Sequence, residues 1–597
     1  VRLGNGDSRF SGIIAGRVGL WQVFSPSRLS ETLAAWSAAD PFLLVAATGQ
    51  YQFATDDFIT DSLALLVNTK PTVRYNDLHF AGRYKLTPLQ SFDASVYFGH
   101  NGLVGNRTAS NTDVAMQEDS RVADLSIGDD YAWTNTTARL AYSTFAGNRT
   151  LIQVESKFSQ YRLRHDYELI ENLYLPSNLV DLSPLEGNAA VEAADRNDVN
   201  YSSLGVTVDH SRLKHQFGLG ADVSYYATQL DLKSASPNDE VDIALGPRAL
   251  VSVRSAAVQM DKGILLLSMF AEDRWRPSRN VTVTGGVRST LDAVQKRVYA
   301  EPKLSLQARA TLPIGEFGWR TSIGLYRQYL IQTDVSKLNA GSLLPSVRTW
   351  IPVDQSIRPP MSYHLAQSIS LAPVHGVLLL GEAYSKFHTR GYAVKYTNLT
   401  SDDVVQSTDL RVADLLGSTS GRTAGLSLKA KVETNLVAGS VRYGYVRAHT
   451  EGTDLFSGER TMVRGVDPHE FDVDLTVRPN SSVIARAAWR TARGRGFGFT
   501  SAYYDYYGHD EALRSHGTFD FGDPDAHVLP TFHQLDLSVA VARRVGRLGV
   551  QMRADMLNVL DRENVAEWKL IYSNGRLTKR PRPLYPRMTT LSMRFSW

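Results

Sequence analysis

From Leu548 to Met556 the chain alternates: Leu548, Val550, Met552, Ala554 and Met556 are apolar, and Gln551, Arg553 and Asp555 between them are polar or charged. Phe471, Val473, Leu475 and Val477 alternate in the same way with Asp472, Asp474, Thr476 and Arg478, as do Leu535, Leu537, Val539 and Val541 with Asp536 and Ser538. A period of two belongs to an extended strand, whose side chains point by turns to opposite faces. The pattern recurs along the chain in about twenty-two segments, and no stretch reads as a long amphipathic helix. Strands of this kind can hide their apolar faces in several packed sandwiches, or turn them outward to lipid in one closed sheet. Several sandwiches need linkers, and no linker-like break in composition is visible in the 597 residues.

The connections point the same way. Short polar turns fall at Thr87–Gln90, Gly147–Arg149, Pro277–Arg279, Pro313–Glu316 and Pro479–Asn480. Between them lie long polar loops at His100–Asp130, His165–Val199, Asp231–Lys262, Ile331–Pro360, Gly391–Gly421, Gly494–His533 and Asp561–Leu584. Short and long alternate along most of the chain, the asymmetry of membrane barrels with short periplasmic turns and long outer loops. The expected fold class is therefore all-β, a transmembrane antiparallel β-barrel of about 22 strands, filling residues 1–597 as one domain. Near the start, Phe10–Phe24 and Pro41–Phe53 are expected as strands, with a short helix around Ser30–Trp36 between them. An even strand count brings the C-terminus to the short-turn side.

The last strand carries its own signal. Thr589, Leu591, Met593, Phe595 and Trp597 form one face and Thr590, Ser592, Arg594 and Ser596 the other. A soluble sheet that ends on a bare apolar face is an unprotected edge, whereas a closed membrane barrel pairs that edge and shows the face to lipid.

Composition narrows the function. Lysine plus arginine (64) nearly balance aspartate plus glutamate (61), so charge points to no nucleic-acid partner. The absence of cysteine excludes a thiolate metal site, a disulfide framework and a cysteine nucleophile. No apolar run approaches the ~18 residues of a spanning helix, a criterion that alternating barrel strands escape. The fourteen histidines are scattered, and the glycine-rich Gly494–Gly498 lacks the buried strand and following helix of a phosphate loop. No nucleophile–base pair stands out, so neither an enzyme nor a cofactor or metal site is expected.

Further runs resemble a known family. Phe270–Trp275 (FAEDRW), a short turn and Val281–Arg288 (VTVTGGVR) resemble the central hairpin in the β-barrel of TonB-dependent outer-membrane receptors. Glu301–Ala308 (EPKLSLQA) and Ile323–Tyr329 (IGLYRQY) follow in the family's order. Leu535–Val541 and Asp555–Asn564 (DMLNVLDREN) resemble its penultimate strands, including the asparagine-containing turn. The resemblance spans nearly the whole chain through order and spacing. It implies a Gram-negative outer-membrane location among lipid and lipopolysaccharide, and active uptake of a scarce nutrient: a siderophore, cobalamin, glycan or peptide. It also implies a plug domain inside the barrel, energised by TonB and its inner-membrane motor, and in some systems a surface lipoprotein. The family's N-terminal plug and TonB box are not in this chain, which opens on Val1. The expectation is a longer precursor or a separately encoded plug. The alternative is a plug-less pore, or a docking barrel that scaffolds surface lipoproteins or an envelope assembly.

Three groups of residues are singled out. Tyr503, Tyr504, Tyr506, Tyr507 and His509 form an aromatic cluster in a long outer loop, suited to stacking on a sugar, ring or peptide. They suit interfacial anchoring equally well. Arg288, Arg442, Arg486, Arg490 and Arg553 are expected to face the lumen. In family terms they hold the plug or guide an anionic substrate. Leu591, Met593, Phe595 and Trp597 resemble the signal read by the barrel-assembly machinery. Trp275, Trp319, Tyr443, Tyr445, Trp489, Phe595 and Trp597 are expected in the interfacial girdles.

Overall fold

The computed structural model describes residues 2–3, 9–19, 72–105, 107–110, 122–174, 187–235, 256–334, 348–394, 413, 416–452, 461–463, 466–497, 502–504, 518–520, 527–546, 548–573 and 576–596. Twenty long strands carry the fold. They are β1 (Phe10–Val18), β2 (Thr72–Thr87), β3 (Gln90–Val104), β4 (Val122–Ala146), β5 (Thr150–Tyr174), β6 (Gly187–Arg212), β7 (His215–Ala235), β8 (Ala256–Trp275), β9 (Val281–Asp292) and β10 (Arg297–Leu312). The series continues with β11 (Gly315–Arg327), β12 (Met361–Ala372), β13 (Val377–Val394), β14 (Leu416–Glu433), β15 (Val437–Glu451), β16 (His469–Asn480), β17 (Val483–Arg493), β18 (Phe532–Val545), β19 (Leu548–Leu557) and β20 (Met588–Ser596).

Each strand pairs antiparallel with the next in sequence, in one meander from β1 to β20. Such a sheet satisfies its backbone polar groups between neighbours, which is what a lipid-facing wall requires. The strip Arg2–Leu3 pairs with β1 at the other edge. Of the expected segments, twenty correspond to these long strands and Val1–Leu3 to that strip. Pro41–Phe53 and the expected helix around Ser30–Trp36 lie outside the described residues, as do residues 20–24 of the expected strand Phe10–Phe24, of which β1 covers Phe10–Val18.

Register fixes which residues share a face. Across β14 to β17, Leu428 lies opposite Tyr443, Tyr443 opposite Phe471, and Phe471 opposite Thr491. One step along, Lys429, Arg442, Asp472 and Arg490 line up on the other face. The apolar side chains of the first face stay open to the surroundings: Leu591 is 73% exposed, Met269 69% and Val298 67%. A water-soluble sheet buries that face, so this exposure marks a surface made for lipid. The ionic face instead holds pairs such as Arg17–Asp77 at 2.6 Å and Arg288–Asp222 at 3.0 Å.

All nine connections on one edge of the meander are short, from the two residues between β2 and β3 to the five between β8 and β9. Tight turning there needs special backbone. Gly315 has φ +122°, and a Cβ at this position would strike the carbonyl oxygen of Ala372, so only glycine fits. On the other edge nine of the ten connections are long; the exception joins β9 to β10 through four residues. Both β1 and the end of β20 meet the short-turn edge, as the even strand count requires.

The long loops are shorter than the amino-acid pattern implies. The loops read at His100–Asp130 and His165–Val199 are largely strand, and that at Asp231–Lys262 is strand at both ends: β3 reaches Val104, β4 starts at Val122, β5 reaches Tyr174 and β6 starts at Gly187. β7 likewise runs to Ala235 and β8 begins at Ala256. Beyond the apolar band both faces meet water, so the alternation of hydrophobicity stops while backbone pairing continues. The remaining loops also carry hairpins, at Leu330–Asp334 with Arg348–Pro352 and at Val565–Ser573 with Arg576–Pro583.

The expected Asn-hydrophobic-hydrophobic-Asp turn has a clear physical role. In Asn558–Asp561 the Asp561 N–H donates to the Asn558 carbonyl at 2.8 Å, and both residues take φ +50°. The buried Asn558 side chain donates to the carbonyls of Arg562 and Tyr585, while its N–H donates to the Asp536 carboxylate. Nearby, Asn564 donates to the His533 carbonyl at 2.8 Å and accepts from the His533 N–H at 2.9 Å. Two asparagines thus stitch the ends of β18, β19 and β20 together.

Candidate functional site

The ionic face is most densely charged across β15 to β17. The Arg442 guanidinium reaches Glu470 at 2.5 Å and Asp472 at 2.6 Å, and Arg490 reaches Asp472 at 3.0 Å. Arg486 pairs with Asp474 at 2.6 Å. On β19, Arg553 pairs with Asp555 at 2.6 Å and donates to Ser538 Oγ at 3.1 Å. With Arg288 and Asp222 on β9 and β7, all five arginines singled out in the amino-acid sequence lie on the face opposite the exposed aliphatics. Each touches a carboxylate. These pairs are half exposed, so each is worth only about 0–1 kcal/mol. Their effect is to hold fork-shaped donors in fixed positions along the wall.

The mouth at the long-connection edge is built differently. The hairpin Leu330–Asp334 with Arg348–Pro352 folds against the ionic face of β7 and β8. Ile331, Ile351 and Ile357 of this connection pack on Leu230, Ile264 and Leu266 of the wall, all nearly inaccessible. The hairpin is also clamped through backbone. Fully buried Asn197, on β6, accepts from the Trp350 N–H at 2.7 Å and donates to the Trp350 carbonyl at 3.0 Å, imitating a strand partner. At the base Lys262 pairs with Asp354, whose carboxylate also caps the N–H groups of Ser356 and Ile357. Burial pushes the Asp354 carboxyl up, but the Lys262 ammonium and the N–H groups of Ile357 and Ser356 together hold it below the usual range.

Asn197→Leu leaves the Trp350 backbone groups unpaired in a buried place, at a cost of about 1–3 kcal/mol each. Amide exchange at Trp350 is expected to speed up at least about tenfold while the β15–β20 wall is unchanged. Unchanged exchange there by mass spectrometry shows that the clamp is not what holds the hairpin.

Beside the clamp, on the same face of β4, β5 and β6, His165 sits between two acids. Its Nε2–H donates to Asp129 at 2.8 Å and its Nδ1–H to Asp195 at 3.0 Å, and its ring stacks on Tyr131 with centroids 4.1 Å apart. Asp129 is fully buried and His165 is 2% exposed. Burial alone lowers the imidazole pKa, but the hydrogen bonds it donates to the two carboxylates, and their charge, overcome this and push the value up to about 9. His165 is thus an imidazolium at neutral pH, locking three strands together where they rise past the apolar band.

Of the expected aromatic cluster, Tyr503 and Tyr504 lie in the short strand Ala502–Tyr504, opposite Phe519 and Thr518. Tyr506, Tyr507 and His509 lie outside the described residues. Leu591 and Met593 are exposed on the apolar face, Phe595 shares it by register with Val550, and Trp597 is outside the described residues. The aromatic girdles take shape at both edges. His215, Phe217 and Trp275 stack near the short turns, and Phe471 and Trp489 meet edge-on nearer the long connections. Among the described residues no group of three or more His, Asp or Glu is placed to hold a metal ion.

Neither a protein-family model nor a characterised relative matches the amino-acid sequence. Solved structures do match. The ferric citrate transporter FecA in its unliganded form superposes with a TM-score of 0.51 at 12% identity, over 88% of this chain and 70% of that one. The outer-membrane transporter YddB from Escherichia coli matches at a TM-score of 0.49 and 10% identity, over 90% and 78%. The copper transporter OprC gives 0.49 and 12%, over 88% and 79%. At these identities the FecA match establishes a common fold: the large antiparallel β-barrel of an outer-membrane transporter.

Proposed function

We propose that the chain is the barrel of a TonB-dependent outer-membrane transporter that takes up a scarce nutrient. The observation that carries the reading is the two-faced wall: twenty strands with lipid-compatible side chains on one face and paired arginines on the other. In this reading the arginines of β9, β15, β17 and β19 are the surface against which a plug domain docks. The plug belongs to the same precursor or to a separate chain; either way TonB acts through it. The mouth, roofed in part by the clamped hairpin, receives the cargo, and Tyr503, Tyr504, Tyr506, Tyr507 and His509 contact it from the long connection between β17 and β18. The barrel itself carries out no chemistry. Siderophores, cobalamin, glycans and peptides are the cargo classes this surface suits.

The test is uptake in cells that carry or lack the coding region, with the motor intact or disabled. Labelled ferric siderophores, cobalamin, oligosaccharides and peptides are supplied at limiting concentration. Accumulation of one class is expected to fall at least about tenfold on deletion, and equally when TonB is removed. Passage that persists without TonB overturns the transporter reading in favour of an open pore. Loss of a surface lipoprotein from the envelope, with uptake unaffected, overturns it in favour of a docking barrel.

A further inference from the structure

On the apolar face of β13 to β18 the positions from the short turns upward are uncharged until the strands leave the band, except Arg543 of β18, which lies opposite Val550 at the short-turn end. There the character changes abruptly. Arg422 on β14, Arg447 on β15 and Arg493 on β17 all stand on this outward face, because Arg422 is opposite Phe387 and His449, Arg447 opposite Ala424, and Arg493 opposite His469. All three are exposed. On the ionic face of these strands Arg442, Arg486 and Arg490 are matched by carboxylates at 2.5–3.0 Å. These three have no carboxylate partner among the described residues. Arg422 instead lies over the Phe387 ring at 4.9 Å and donates to Ser385, and Arg447 donates to His449 Nε2 at 2.6 Å. Among the described residues, the acid that register puts on this part of the face, Glu451, accepts from Ser420.

Directly below them Tyr443, Tyr445, Phe471 and Trp489 form an aromatic shelf, with Tyr443 Oη 2.8 Å from His469 Nδ1. Strands stand about 5 Å apart, so the row spans four neighbouring strands, and it steps by two residues of register from Arg422 to Arg447 and from Arg447 to Arg493. A guanidinium row on an otherwise apolar surface, just where aliphatic side chains give way to aromatic ones, matches a layer with hydrocarbon below and fixed negative charge above. Guanidinium forks complement phosphate oxygens in two-point hydrogen bonds, and an aromatic shelf suits the boundary between acyl chains and headgroups.

We propose that the rim formed by Arg422, Arg447 and Arg493 binds the phosphate of an anionic lipid headgroup in the leaflet at the long-connection edge. The inference rests on the reading of the apolar face as the lipid-facing one.

The test uses the full chain in nanodiscs of neutral phosphatidylcholine doped with a phosphorylated glycolipid, or with the same glycolipid after enzymatic dephosphorylation. Native mass spectrometry then counts what stays bound. The wild type is expected to retain the phosphorylated form about tenfold better. R422A/R447A/R493A is expected to lose that preference while keeping heat-modifiable mobility, and the triple lysine variant to keep part of it. Should the alanine variant fail to insert, the single R422Q and R447Q variants are each expected to weaken the preference. An unchanged preference in these variants, or none in the wild type, overturns the site. Competition by millimolar inorganic phosphate overturns the lipid assignment and leaves a free-anion site. Arginine substitution in mid-band reports separately whether the apolar face meets lipid, so a failure of that reading is distinguishable from a failure of the site.

Discussion

Arginine at Val441 is expected to destabilise the membrane-inserted protein by about 2–4 kcal/mol, whereas arginine at neighbouring Ser440 changes it by less than about 0.5 kcal/mol. The two positions are adjacent on β15 and differ only in face. Val441 lies opposite Val473 and Ala430, at the middle of the apolar band, and is 42% exposed. Ser440 lies opposite Asp474 and Lys431, where a new guanidinium finds a carboxylate within reach. The free energy of unfolding from lipid vesicles, followed by tryptophan fluorescence in denaturant, measures both. Equal effects, or a larger one at Ser440, reverse the assignment of faces and remove the basis for every functional statement made above.

The second large effect is a pH dependence seated on His165. Its pKa of about 9 in the folded protein exceeds the ordinary imidazole value of about 6.5. The imidazolium therefore stabilises the fold fully below about pH 6.5, and the contribution is lost as pH rises through about 9. The difference amounts to about 3 kcal/mol. In His165→Gln the pH dependence in this window is expected to disappear. The variant is also expected to be weaker at neutral pH by about 3–5 kcal/mol, because Asp129 and Asp195 remain buried without their cation. Hydrogen exchange of the upper ends of β4, β5 and β6 is the readout, since damage there need not unfold the band. A wild type with flat exchange protection from pH 6 to 10 contradicts the charge assignment.

How much was legible in the residues themselves depended on solvent. Inside the band, water on one side and lipid on the other force a period of two. The strands Met361–Ala372 and Gln534–Val545 could be read almost to their ends for that reason. Above the band that contrast vanishes, and the upper halves of β4 to β8 read as loop although they are the longest strands in the protein. The arginines Arg288, Arg442, Arg486, Arg490 and Arg553 could be placed on one face by parity alone, but their acid partners needed the register. His165 could not be recognised at all. Its partners lie 30 and 36 residues away on different strands, and Asn197 lies 153 residues from Trp350. Only the paired asparagines at 558 and 564 left a local trace, as the turn Asn-Val-Leu-Asp.

The unequal lengths of the strands set the profile of the opening. β4, β5 and β6 have 25, 25 and 26 residues, whereas β17, β19 and β20 have 11, 10 and 9. At about 3.3 Å per residue and a tilt near 40°, the first group climbs roughly 60 Å and the second roughly 25 Å, about the thickness of the apolar band. The rim of hydrogen-bonded wall is therefore cut obliquely, like the nib of a reed pen. A molecule approaching along the plane of the cell surface meets a tall hydrogen-bonded wall on one flank and a low one on the other.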